Sequence, residues 1–242
     1  MSKTKFFIFC QGRSGSNLLV NLLKSHPDVH CDYELFNQNL LKSKPLWKRH
    51  VIYKLPIPFL LYRRVRNPKP IVGFKLLCYQ YRANQRRLKS LFSGDWKIIH
   101  LHRNDVFQQV ISGFVARETG IWLKTARVKQ PDIKFALNPQ EVITAIADKL
   151  EIRDYEARLM EKVDHVRVVY EEDLLDSDRW QPAMERVFDY LGTNYVPVQS
   201  ITERISARPY STLIENYDEL LQALASTPTD WDKSILKQHL NP

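Results

Sequence analysis

The sequence is short of the features that usually announce a compartment or a cofactor. Its longest dense apolar stretch, Leu55 to Leu61, contains two prolines and is far too brief to cross a bilayer. An earlier apolar run, FFIFC, follows Lys3 and Lys5, but Gln11, Gly12 and Arg13 break it too soon for a secretory signal. The three cysteines, Cys10, Cys31 and Cys78, form neither a CxxC pair nor a zinc spacing. There is no internal repeat, no Gly/Ser linker and no single-sign charge block long enough to mark a tail. These absences lead to the expectation of a reduced, cytoplasmic chain without a metal. Hydrophobic residues make up 44% of the 242 positions and charged residues 26%, which excludes disorder and low complexity. The length suits one large α/β domain, and a single domain over 1–242 is expected.

Charge is present in excess of one sign. Lys and Arg number 36 against 27 Asp and Glu, a net +9. Such a field favours nucleotides, phosphorylated or sulfated molecules, nucleic acid or an anionic membrane surface, and does not choose among them.

Glycines are few, seven in all, so their positions carry weight. Lys5 to Cys10 reads as a buried strand, a Gly-containing turn follows, and Ser16 to Ser25 is apolar at helical spacing until Pro27. Ile71–Leu77, Lys97–His102 and Val166–Tyr170 read as further strands, with a short one near Cys31. Helices are expected over Asn84–Phe92, Asp105–Lys124, Trp180–Leu191 and from Asn138-Pro139 to about Val163. In the last of these Asn138 is the N-cap and Pro139 the first helical residue. Gly192 ends the Trp180 helix. Strands alternating with helices imply a mainly parallel central sheet flanked by helices, with ligands at the carboxyl ends of the strands. Asn37 to Asn67 is basic and holds Pro45, Pro56 and Pro58; it reads as a loop-and-helix excursion over the site.

Two elements carry chemistry. The first is GRSGSN, Gly12 to Asn17, between the first strand and the first helix. Glycines let backbone N–H groups converge, the helix N-terminus adds positive dipole, Ser14, Ser16 and Asn17 add donors, and Arg13 adds a full charge. This is a P-loop-like site for phosphate or sulfate. It is not a Walker A motif, because GxxxxGK[ST] is absent. The plainer alternative is a turn with Ser16 as an N-cap. The second element runs from Lys97 to Phe114. Arg103 ends a strand and Ser112 lies in the helix that follows, a fork and a hydroxyl suited to a phosphate. Alternatively, Arg103 only caps the sheet. A kinase needs an acidic metal ligand at a strand end and the P-loop lysine, but His100, His102 and Arg103 stand there instead.

FIFCQGRSGSNLLVNLLKSHPDV resembles the 5′-phosphosulfate loop of sulfotransferases that use 3′-phosphoadenosine 5′-phosphosulfate (PAPS). Its RSGS form and the His26-Pro27 pair are similar to the carbohydrate-type, bacterial-like branch. The resemblance implies that Arg13, Ser14, Gly15, Ser16 and Asn17 bind the 5′-phosphosulfate. It gives Arg103 and Ser112 the 3′-phosphate. It makes Glu34, in CDYELFN, the general base that takes the acceptor's proton, with Arg13 nearby to hold it ionised and to stabilise the developing charge. GFKLL brings Lys75 toward cofactor or acceptor, or leaves it an edge lysine. VVYEEDL sets Tyr170 near the nucleotide, its acidic residues capping a turn. RPYSTLIENYDELLQAL gives Arg208 a reach to the cofactor phosphates. His26, His30 and His102 are lesser candidates. The expected acceptor is a hydroxyl on a small molecule, carbohydrate or glycolipid, with no nucleic acid partner. For Leu55 to Arg66, within the basic segment 42–69, a loop packed on the domain is the leading reading, while a lid, an oligomer contact and a peripheral membrane contact stay open. Two rivals remain: a P-loop-type small-molecule kinase and a non-enzymatic basic module that binds polyanions.

Overall fold

A computed structural model describes residues 3–122, 133–200, 209–229, 231–236 and 239. The chain divides into two compact units, one from Met1–His102 with Arg158–Ser200, the other from Arg103–Ala157 with Ile201–Pro242.

The first unit is a five-stranded parallel sheet with the order β2-β3-β1-β4-β5. The strands are β1 (Thr4–Cys10), β2 (Val29–Glu34), β3 (Ile71–Leu77), β4 (Lys97–His102) and β5 (Val166–Val169). Helix α1 (Ser16–Ser25) returns the chain from β1 to β2. Alternation along β1 explains the two-sided core. Phe6, Ile8 and Cys10 pack with Leu19, Leu22 and Leu23 of α1. Phe7 and Phe9 point the other way, into a ring cluster with Phe74, Phe92 and Tyr81. Gly73 is required by its neighbour: an added Cβ would run into the ring of Phe6.

Between β2 and β3 lie three helices, α2 (Gln38–Lys42), α3 (Leu46–Lys54) and α4 (Pro56–Arg66). The segment is therefore mostly helical, and Leu55–Arg66, expected as a packed loop, is almost wholly helix α4. Its prolines are compatible with this: Pro45 precedes α3, and Pro56 and Pro58 sit in the first turn of α4, where backbone N–H groups need no intrahelical partner. Helix α5 (Cys78–Leu88) starts directly after β3, earlier than the helix expected at Asn84–Phe92. Asn84, with φ −128° and ψ 21°, kinks it.

In the second unit α6 (Val106–Thr119) is capped by Asp105, whose Oδ1 accepts from the Gln108 N–H at 2.8 Å. It stops at Gly120, φ 70°, rather than continuing to Lys124, which lies outside the described residues. Helix α7 (Pro139–Met160) opens as expected: Asn138 Oδ1 accepts from Gln140 N–H at 2.9 Å. Its last residues, from Arg158, belong to the first unit. Back in the first unit, the chain after β5 winds through a wide π-type turn at Tyr170–Leu174, so the strand is one residue shorter than read. Helix α8 (Trp180–Leu191) ends at Gly192, φ 79°. Helix α9 (Tyr217–Ser226) completes the second unit, whose core gathers Phe107, Ile111, Val142, Ile146, Leu220 and Leu224.

Candidate functional site

The loop from Gln11 to Gly15 leaves the central strand at its carboxyl end. Arg13 has φ 68° and Gly15 φ 86°, both in the left-handed region. For an arginine this conformation costs on the order of 1–3 kcal/mol and is held by its surroundings. Left-handed residues in such a turn are the backbone signature of anion-binding concavities. Ser14 is buried and its Oγ donates to the Gln11 carbonyl at 2.8 Å, so its hydroxyl is engaged inside the loop. Gly15, not Ser16, occupies the N-cap of α1, and no side chain caps the helix. A Cβ at Gly15 would meet the ring of Tyr170, which packs on the loop, whereas one at Gly12 would meet nothing within 4 Å. One side of the loop is thus braced and the other open to a ligand.

Glu34 is the last residue of β2. The register of β2 on β3 shifts between Asp32 and Glu34, so that Glu34 pairs with Lys75 instead of the next residue along. The bulge lets two successive side chains serve the α1 side of the sheet. Tyr33 Oη donates to Asn21 Oδ1 of α1 at 3.1 Å. Glu34 Oε1 meets Lys75 Nζ at 2.9 Å. Its Oε2 accepts from Asn37 Nδ2 at 2.8 Å and Gln80 Nε2 at 2.9 Å. Gln80 cannot flip without loss, because its Oε1 accepts the Leu77 N–H at 3.2 Å.

Lys75 is not an edge lysine. Its strand lies between β2 and β1, and it is only 3% exposed. Besides Glu34 it donates to Asn17 Oδ1 at 2.7 Å. The reading of the sequence placed Arg13 beside Glu34; the structure pairs this carboxylate with Lys75 as well. A continuous polar chain therefore runs from Asn17 in the first turn of α1, through Lys75, to the carboxylate and on to Gln80. Asn37 and Gln80 were missed by the reading of the sequence. Their only signal there was a position within a few residues of a strand end.

The remaining expected residues lie in both units. Arg103 and Ser112 are buried in the second unit. Arg103 donates to Gln108 Oε1 at 3.2 Å, and its carbonyl accepts from Arg153 at 2.8 Å. Arg208 lies outside the described residues. His26 is structural: Nδ1 accepts the Asp28 N–H at 3.0 Å and Nε2 faces the Asn194 carbonyl at 2.9 Å. His30 lies 3.3 Å from Asp32 Oδ1. In the strand-end acidic run, Asp173 caps the Val169 N–H at 2.8 Å and pairs with Arg186 at 2.8 Å, as expected of a turn-capping residue. Burial pushes the Cys31 thiol up, so it is no nucleophile at neutral pH.

No protein-family model matches the sequence. Nodulation protein H of Rhizobium meliloti (strain 1021) is 25% identical over 242 residues, covering 92% of this chain and 92% of that protein. A sulfotransferase from Alicyclobacillus acidocaldarius superposes with a TM-score of 0.52 at 16% identity, covering 99% of this chain and 96% of that one. Its fold is the one built here around a parallel sheet and a strand–loop–helix cradle. The chain therefore shares the sulfotransferase fold, as the resemblance of its loop motifs implied.

Proposed function

We propose that the chain transfers a sulfuryl group from PAPS to an acceptor hydroxyl on a carbohydrate or glycolipid. The observation that carries this reading is the Asn17–Lys75–Glu34 chain, which ties an anion cradle to a carboxylate through one buried cation. The residues present suit an anionic donor: two left-handed backbone positions, an uncapped helix N-terminus and an open side at Gly12. When bound, PAPS supplies an activated sulfuryl group on a good leaving group.

In this reading Arg13, Gly15 and the first-turn N–H groups of Ser16 and Asn17 hold the 5′-phosphosulfate. Ser14 shapes the loop. Arg13 also offsets negative charge growing on the bridging oxygen as the S–O bond breaks. Glu34 takes the acceptor hydroxyl proton, releasing one of its amide donors as the hydroxyl arrives. Lys75 keeps the carboxylate and Asn17 in fixed relation. Arg103 and Ser112 bind the 3′-phosphate, with Arg208 as a further contact.

The test is an acceptor screen with labelled PAPS against sugars, glycolipids and phenols, run with and without excess EDTA. Label should pass to a hydroxylated acceptor and persist in chelator. Activity that vanished with EDTA and returned with magnesium, using ATP as donor, would instead establish the kinase reading. Binding of polyanions with no transfer at all would favour the non-enzymatic module.

A further inference from the structure

The charge of the molecule is concentrated in one stretch. Between Leu35 and Gly94 there are 14 Lys and Arg and not one Asp or Glu. The remainder of the chain holds 22 basic and 27 acidic residues, so this stretch accounts for more than the whole net charge of +9. The same stretch exposes apolar groups. Helix α4 shows solvent a stripe at helical spacing, Pro58, Leu61, Tyr62 and Val65, with Val65 71% exposed. Its polar interior contacts run the other way: Arg63 pairs with Asp32 of β2 at 2.7 Å. On the neighbouring α3, Leu46 is 77% and Trp47 65% exposed. Cations stand beside these rings, Lys48 at 5.3 Å from Trp47 and Arg66 at 5.4 Å from Tyr62. Exposed Lys42, Lys44 and Lys54 extend the basic surround.

We propose that the outward face of α3 and α4 seats the protein on an anionic lipid surface. Exposed apolar and aromatic side chains enter the boundary between headgroups and acyl chains, while lysines and arginines reach the phosphates. Charge selects this occupant. A second copy would set like charges face to face with no acid to answer them. A nucleic acid would satisfy the cations and leave the aliphatic stripe of α4 in water. An anionic bilayer satisfies both. The bidentate Arg63–Asp32 contact gives the helix a firm mounting on the sheet.

The experiment is co-sedimentation of the full chain with vesicles of phosphatidylcholine alone and of phosphatidylcholine mixed with phosphatidylserine. The mixed vesicles should bind at least about tenfold more tightly, and added salt should weaken them. Leu61→Ser/Tyr62→Ser/Val65→Ser should weaken binding by roughly tenfold or more. Lys48→Ala/Lys54→Ala should weaken it by about fivefold per residue. Lys134→Ala/Lys162→Ala, two exposed lysines outside the stretch, should leave it unchanged. These positions are exposed, so melting temperature should hold in all three variants; a variant that melts early is replaced by Val65→Ser alone. Equal binding to both vesicles, or full binding by the serine variant, overturns the proposal. So does a dimer in analytical ultracentrifugation that the serine variant breaks, or tight RNA binding by a protein that ignores the vesicles.

Discussion

Two regions of the first unit break the rule of apolar inside and polar outside, in opposite directions. Around Glu34, charged and amide groups are withdrawn from water and each has a named partner. Along α4, a row of apolar side chains faces water. Both are costly if folding alone is considered, and both are mounted on β2. Asp32 holds α4 through Arg63, and two residues later Glu34 meets Lys75. Departures of this kind mark the places where a chain serves something besides its own stability. The contrast can be broken one side at a time.

The largest effect should come from Glu34→Gln, which keeps the shape of the site and removes the proposed base. Turnover should fall by roughly 10²-fold or more, within the usual range for a lost general base. Vesicle binding should not change. Near-normal turnover by a folded glutamine variant would remove Glu34 from the reaction and leave the polar chain structural.

Lys75→Met keeps the volume and removes the cation, stranding a carboxylate and the Asn17 carbonyl. Breaking a buried pair costs about 3–5 kcal/mol. Because the Glu34 side chain keeps 18% exposure, the lower end applies, a fall of roughly 6–12 °C in melting temperature for a protein of this size. Adding Glu34→Leu should recover most of the loss, since the two costs are coupled. Additive losses in the double variant would show that the pair does not act as one unit.

A smaller effect sharpens the comparison with pH. His100 lies under 10% exposed between His102 and His165, at ring distances of 6.0 and 5.7 Å, and its Nε2 makes no hydrogen bond within the described residues. Burial first, then repulsion from His102, pushes its imidazole down to about 3. An unfolded histidine takes up its proton near pH 6.5, so the unfolded state gains protons that the folded state refuses. Stability should therefore fall as pH drops from about 6.5 toward 3, by up to roughly 1.4 kcal/mol per pH unit from this residue. Urea midpoints at three pH values should show a flatter slope for His100→Gln. Parallel slopes would assign the acid sensitivity elsewhere.

The cradle was legible in the sequence because local rules decide it: an apolar run, a glycine turn, then helical spacing. The fold class followed from the same alternation, and Asn138-Pro139 and Gly192 announced helix ends by their own backbone preferences. The carboxylate was legible as a position but not as a network. Which cation meets Glu34 depends on a bulge in β2 and on strand order, both tertiary facts that no spacing records. Gln80 reaches Glu34 because α5 begins at Cys78, directly after β3, where the reading of the sequence began the helix only at Asn84. The prolines of α3 and α4 read as breakers, though each stands where a helix tolerates it.

The strand order also sets a schedule for assembly. β1 and β2, the first two strands made, are not neighbours; each waits for β3, which begins only at Ile71. A nascent chain cut off before that residue has no pair of strands to zip and so no template for the sheet. It would emerge as a helix-rich fragment with its aromatic strand uncovered, in need of a chaperone or of its remaining length. Folding is thereby withheld until the strand carrying Lys75 arrives to join β1 to the strand of the carboxylate.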